Sequence, residues 1–294
     1  MDERIPKTFY HYCSPATFVS IVKNRSIWLS DISKSNDSKE LHWIVEQFDE
    51  YLYSSPFADI VSRSPFFKRI LRRFEGEALF KCWALCLSEK KDDLGQWRGY
   101  AKDGTGVSIG FNQELLKSIF QGMPRDEKKG VIFRFERIKY GRAAVRKMFD
   151  EEMKKSDAEL KINKAESVLL DTMMIALSNS PFFKGETFRQ EKEWRLAALL
   201  TKPEVDEGAR PDDVNFLDPS LNSLKYEYNE MDGDIVSHLE LYCKNLPEQV
   251  AEIRLGPKCK WSVEETKLFL VSAGWLKDIN DRSIKIIESQ SSYR

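Results

Sequence analysis

Histidine is scarce in this chain: His11, His42 and His238 are the only three in 294 residues, and the five cysteines (Cys13, Cys82, Cys86, Cys243, Cys259) lie far apart. Neither set has the spacing of a zinc site, so no metal is expected. Cys82 and Cys86 would stand about 13 Å apart on one strand face by the rise of a β-strand, too far for a disulfide or a shared ion. Phosphate-binding and nucleophile motifs are missing too. There is no G-x-x-x-x-G-K-[ST], no G-x-G-x-x-G after a strand and no G-x-S-x-G elbow. No run approaches the roughly 20 apolar residues of a membrane helix, and the first residues are too polar for a secretory leader. Nor is charge of one sign in excess, since 46 Lys and Arg face 47 Asp and Glu with a pI of about 6.4. A surface that grips nucleic acid all over is thereby excluded. The expectation is a reduced, cytoplasmic protein with no membrane partner.

What is present suits an α+β fold, and 41% hydrophobic residues can bury a sizeable core. TFYHYC (8–13) alternates as a strand with Phe9, His11 and Cys13 on one face, and Ser14-Pro15 reads as a helix start. SIWLS (26–30), ALFKCWALCL (78–87), VIFRFERIKY (131–140), the second half of 188–200, 236–243, 250–256 and 284–288 read as further strands. Helices are grouped between them, which predicts a mixed or antiparallel sheet of about eight short strands in a single domain over 1–294. Three stretches look inserted: a basic helix near 57–75, helices near 142–180 and an acidic excursion near 201–234.

The densest recognition chemistry is DDLGQWRGYAKDGTGVSIGF (92–111), read as a loop with Gln96, Trp97, Arg98 and Tyr100 followed by a strand. Trp97 and Tyr100 also suit a simpler role as anchors on the core, but Arg98 between them needs an anion or acceptors. The turn at Gly104-Thr105-Gly106 serves a ligand or an ordinary hairpin equally. In EKEWR, Glu191, Glu193 and Arg195 would share one strand face beside the apolar 196–200. Such charges must line a cleft, pair with each other or remain in solvent. His11 is either a satisfied core histidine or a site residue. The basic run KRILRR (68–73) can grip phosphate or face solvent.

Four blocks in order, YHYCS, IWLSD followed by SND, QWRGY followed by GVSIGF, and FRQEKEWR, resemble a bacterial domain family of unknown function found in mobile-element and defence-gene settings, over roughly Phe9 to Gly256. More remotely the layout resembles the ADP-ribosyltransferase superfamily. That resemblance implies NAD as substrate, with His11 on a ribose, Tyr100 or Trp97 stacked on nicotinamide, Glu193 on the nicotinamide ribose and Glu191 nearer the acceptor. It further implies Arg98 or Arg195 on the pyrophosphate and Asn36 or Asp37 closing the site. One departure is the Gly104-Thr105-Gly106 turn, where the superfamily carries a Ser-Thr-Ser type strand. The resulting expectation is an NAD-cleaving transferase, an anti-phage effector or toxin, with a protein or nucleic-acid acceptor and a neutralising or sensor partner. The alternatives are a non-catalytic nucleotide-sensing module and a nucleic-acid-acting protein using residues 68–73.

Overall fold

Alternation in TFYHYC produces β1 (Thr8–Cys13), and Ser14 ends it by capping a helix. The Ser14 hydroxyl accepts from Thr17 N at 3.1 Å, and Pro15 occupies the first helical position, where no N–H is needed. The computed structural model describes residues 5–34, 40–54, 80–122, 131–156, 165–201, 224–231 and 234–293. After β1 come α1 (Pro15–Asn24), β2 (Ser26–Asp31), α2 (Glu40–Tyr53), β3 (Phe80–Ser88), α3 (Leu94–Tyr100) and β4 (Val107–Asn112). The middle of the chain adds α4 (Gln113–Gly122), β5 (Val131–Arg137), β6 (Lys139–Tyr140), α5 (Arg142–Ser156) and α6 (Ala165–Asn179). Then follow β7 (Phe183–Lys184), a 3-10 turn (Glu186–Glu191), β8 (Glu193–Thr201), β9 (Leu224–Met231), β10 (Asp234–Tyr242), β11 (Val250–Leu255), α7 (Val263–Ser272) and β12 (Lys285–Glu288).

The α+β expectation holds, with one mixed sheet of ten strands rather than about eight. Its order is β12-β11-β4-β1-β3-β2-β10-β9, and β8 pairs with both β3 and β5. Every described pairing in it is antiparallel except β11 with β12. Part of the extra strand content comes from 224–231, which the sequence reading placed in the acidic excursion. Leu224–Met231 instead pairs along β10 from Leu224–Leu241 to Met231–Asp234. Pairing with a neighbour outweighed a composition poor in aliphatic residues. Residues 202–223 and the predicted basic helix lie outside the described residues. Among the described residues, no helix is long and apolar enough to cross a membrane.

Two apolar layers cover the sheet. Phe9, Phe18, Leu85, Leu87, Trp194 and Leu196 belong to the first, and α2, α5 and α6 close the second over Cys82, Ala84, Ala197 and Leu199. Strand β8 therefore alternates, with Trp194, Leu196 and Ala198 to one layer and Ala197 and Leu199 to the other. Continuing that second face towards the start of β8 gives Arg195 and Glu193. Two charges thus end an apolar face.

The sheet divides at β3. On one edge β3 pairs with β8 over its whole length; on the other it pairs with β2 at Trp83 and Ala84 and with β1 only at Tyr10–Ser88. Beyond that single pairing the strands part, and His11 spans the gap to the Cys86 carbonyl, Nδ1 to O 3.1 Å.

Residues 94–100 form a helix, not the loop read from sequence. Asp93 caps α3, accepting from Gln96 N at 3.2 Å. Asp92 takes Trp97 Nε1–H at 2.7 Å, Ser289 Oγ–H at 2.6 Å and Gln290 N–H at 2.7 Å, which ties α3 to the tail after β12. The Gly104-Thr105-Gly106 turn joins α3 to β4, so it is no hairpin connection. It packs backbone on backbone: Gly256 N–H donates to Gly106 O at 2.9 Å, and a Cβ at Gly106 would overlap the Cys13 carbonyl. Gly106→Ala should therefore cost about 1–3 kcal/mol through forced backbone movement. A urea midpoint unchanged from wild type would show that the approach is not so close.

Candidate functional site

The cleft opens where β1 and β3 part. Its lining is His11 and Tyr12 from β1, Cys86, Leu87 and Ser88 from the end of β3, Gln96 and Tyr100 from α3, and Glu191 and Glu193 at the entry to β8. The cavity is small, about 60 Å³. Larger spaces of about 500 Å³ and 250 Å³ lie by the ends of β11 and β12 and beside α1, but none of the site residues expected from sequence lines either. The chemistry and these larger spaces do not coincide, and the chemistry identifies the site.

A buried ionic cluster forms its floor. Arg195 Nε donates to Glu193 Oε1 at 2.6 Å and Nη1 donates to the Pro181 carbonyl at 2.8 Å. Lys184 Nζ lies 3.0 Å from Glu191 Oε2 and 2.7 Å from Glu193 Oε2, the latter off the direction of a good hydrogen bond. Lys184, Glu193 and Arg195 are 5%, 5% and 1% exposed, so none can be solvated instead. Burial opposes ionisation of Glu193, but the charges of Arg195 and Lys184 and the Arg195 hydrogen bond outweigh it and bring the pKa to about 2. Glu193 is a fixed anion at neutral pH and is unsuited to carrying protons.

Above the cluster, Tyr100 Oη donates to Glu191 Oε1 at 2.7 Å. Burial raises the Tyr100 pKa and Lys184 opposes that, while Glu191 adds to it, so the phenol stays protonated. His11 is kept neutral mainly by burial. A carbonyl can only accept, so the hydrogen bond to Cys86 O puts the proton on Nδ1 and leaves Nε2 as a bare acceptor.

His11, Tyr100, Glu191 and Glu193 thus meet in one cleft although 182 positions (193 less 11) separate the first from the last. The shared strand face expected for Glu191, Glu193 and Arg195 is only half present. Lys192 adopts a left-handed conformation (φ 47°) that ends the 3-10 turn, so Glu191 precedes the strand and approaches Lys184 from the turn.

The residues assigned to cofactor binding fare differently. Trp97 is fully buried against Tyr12, with ring centroids 4.7 Å apart, and so is an anchor and not a stacking platform. Arg98, at the exposed end of α3, has its guanidinium 5.7 Å from the Tyr293 ring centroid and does not line the cleft. Arg195 is committed to Glu193 and Pro181, which removes it as a pyrophosphate ligand. Asn36 and Asp37, like the basic run 68–73, lie outside the described residues. Among the described residues no group of three or more His, Cys, Asp and Glu could hold a metal ion.

Sequence reasoning missed Lys184. It stands alone after Phe182-Phe183 in a two-residue strand, and its only signal was the need of two nearby carboxylates for a cation. Tyr140, whose hydroxyl accepts from Glu193 N at 2.8 Å, was missed for the same reason.

A family model described as "Protein of unknown function (DUF2971)" matches residues 96–196. The matched region begins at Gln96 in α3, ends at Leu196 in β8 and includes Tyr100, Lys184, Glu191, Glu193 and Arg195, while His11 lies outside it. No curated protein and no solved structure gives a significant match to the chain.

Proposed function

We propose that the cleft binds NAD and cleaves its nicotinamide–ribose bond, as in ADP-ribosyltransferases. One observation carries this reading: His11, Tyr100, Glu191 and Glu193 line a single cleft. The lining fits one end of a dinucleotide, with a bare imidazole acceptor, an aromatic ring and two carboxylates. A cavity of about 60 Å³ does not take a whole dinucleotide, and neither arginine assigned to the pyrophosphate faces it.

Bound NAD would supply a bond whose cleavage releases neutral nicotinamide and leaves positive charge on ribose. Glu193 holds a negative charge in place against that ribose without reorganising, which is the economical form of electrostatic catalysis. Lys184 and Arg195 orient Glu193 and keep it ionised. Glu191, whose side chain is 15% exposed against 6% for Glu193, is the more accessible carboxylate and faces the acceptor, with Tyr100 holding its second oxygen. His11 Nε2 accepts from a ribose hydroxyl. The acceptor is a protein or a nucleic acid.

The test is nicotinamide release from NAD by the full chain, with protein and nucleic-acid acceptors supplied. Wild type should release it, and Glu193→Gln should be slower by roughly 10²–10³-fold, the cost of removing one preorganised electrostatic partner. Failure of wild type to exceed background with every acceptor sinks the proposal.

A second reading draws support from the pairing of Glu193 with two cations. Neutralised in this way, the cluster also suits a module that binds a nucleotide without turnover. Nucleotide-dependent thermal stabilisation with no nicotinamide release would favour it.

A further inference from the structure

Gln96 is 7% exposed and lines the cleft, yet its amide makes no hydrogen bond among the described residues. A buried primary amide ordinarily finds partners, because it carries two donors and two acceptor lone pairs that are costly to strand. Its amide atoms are not sealed in either, since among the described residues the buried unpaired side-chain polar atoms are those of Ser108, Glu193 and Arg254. The amide therefore keeps contact with open space from an otherwise buried side chain.

Helix capping is the other role open to Gln96, and the structure withdraws it. Asp93 and Gln96 stand at the cap and third helical positions of α3, the pattern in which a glutamine side chain reaches back to the cap's own N–H. Half of that box forms, with Gln96 N–H donating to Asp93 Oδ1. The other half is pre-empted, because Asp93 N–H donates to Tyr12 Oη at 3.1 Å and that hydroxyl donates to the Lys90 carbonyl at 2.9 Å. The capping partner is taken, and the amide remains available to a ligand.

We propose that Gln96 determines which nucleotide enters. It recognises a neutral planar group that presents an amino donor beside an acceptor. Nicotinamide has this pattern in its carboxamide, and adenine in its N6 and N7 edge. A glutamine amide pairs with such an edge through two antiparallel hydrogen bonds. The bare Nε2 of His11 in the same cleft is an additional acceptor and favours ligands with a hydrogen to donate. Replacing the amino group by oxygen turns donor into acceptor and leaves Gln96 Oε1 unpaired. The inference rests on the reading of the cleft as a nucleotide site, but it requires binding only and no bond cleavage.

The test is calorimetric titration of the full chain with nicotinamide mononucleotide, nicotinic acid mononucleotide, AMP and IMP. The two deaminated compounds remove the donor from the nicotinamide and adenine sources respectively. Wild type should bind at least one amino compound tenfold or more tighter than its deaminated counterpart, and which pair discriminates identifies the source. Gln96→Leu should erase the preference. Gln96→Glu, nearly isosteric and a check on folding by its melting curve, keeps the acceptor, so it should keep the preference while binding the amino compounds more weakly for want of the amide donors.

Equal affinity within both pairs in wild type overturns the inference. So does a preference that survives in Gln96→Leu, and so does absence of binding by all four nucleotides. Nicotinamide release by wild type is read separately: release without amino discrimination rejects the role of Gln96 and leaves the catalytic reading in place. Discrimination without release does the reverse.

Discussion

Glu193→Gln is expected to lower the free energy of unfolding by about 3–5 kcal/mol, the usual cost of removing one partner from a buried ion pair. The glutamine fits the space, so the loss is electrostatic. Lys184 retains Glu191 at 3.0 Å and Arg195 retains the Pro181 carbonyl at 2.8 Å, but each, being buried, loses its closest carboxylate. Arg195→Gln should cost a similar amount for the converse reason. The double variant should cost less than the sum of the two, because the second substitution removes the charge that the first left uncompensated. Urea unfolding of all four proteins gives the coupling energy. Strict additivity would mean that Glu193 and Arg195 do not act as a pair, despite the 2.6 Å between them.

Acid should remove the same contribution without mutation. The folded-state pKa of Glu193 is held at about 2, against 4.5 for the free side chain, so the folded state binds this proton less readily than the unfolded chain. Its stabilisation is complete above the unfolded value and is lost as pH falls from 4.5 towards 2. The slope in that window is about 1.4 kcal/mol per pH unit, and the whole contribution is roughly 3 kcal/mol. Other carboxylates titrate there as well, so the informative quantity is the difference in stability between wild type and Glu193→Gln, from pH 6 to pH 3. That difference should be flat near pH 6 and narrow below about 4.5. A gap that stays constant to pH 3 would show that Glu193 is not held ionised by its neighbours.

These two experiments also bear on function. A carboxylate that resists protonation so strongly is suited to fixed electrostatic stabilisation, and proton transfer falls to groups outside the cluster. Activity should then show no acidic limb from Glu193 at any pH where the protein remains folded.

Much of the fold was legible because the signals are local. The alternation of TFYHYC and the Ser14-Pro15 start of α1 each depend on neighbours within four residues, and each element formed as read. Two readings failed, for different reasons. Residues 224–231 became a strand because the distant β10 pairs with them, whereas Leu94–Tyr100 is a helix begun by a local signal, the Asp93 cap, that the loop reading overlooked.

The candidate site divides along the same line. From sequence alone, most of the residues that line the cleft were candidates, and the conflict of placing Glu193 and Arg195 beside the apolar end of β8 was evident. The resolution of that conflict was not. It comes from Lys184, brought by a two-residue strand after α6, and from the Pro181 carbonyl, neither of which has any periodicity or motif to reveal it. The anchor role open to Trp97 from sequence is the one it takes, but only the tertiary structure pointed Arg98 to Tyr293 and left the Gln96 amide unpaired once Tyr12 had taken its cap partner. Periodicity determines which face of an element a side chain occupies, because that follows from backbone geometry. Which groups then meet across a cleft depends on where β1 and β3 part, and long-range pairing alone decides it.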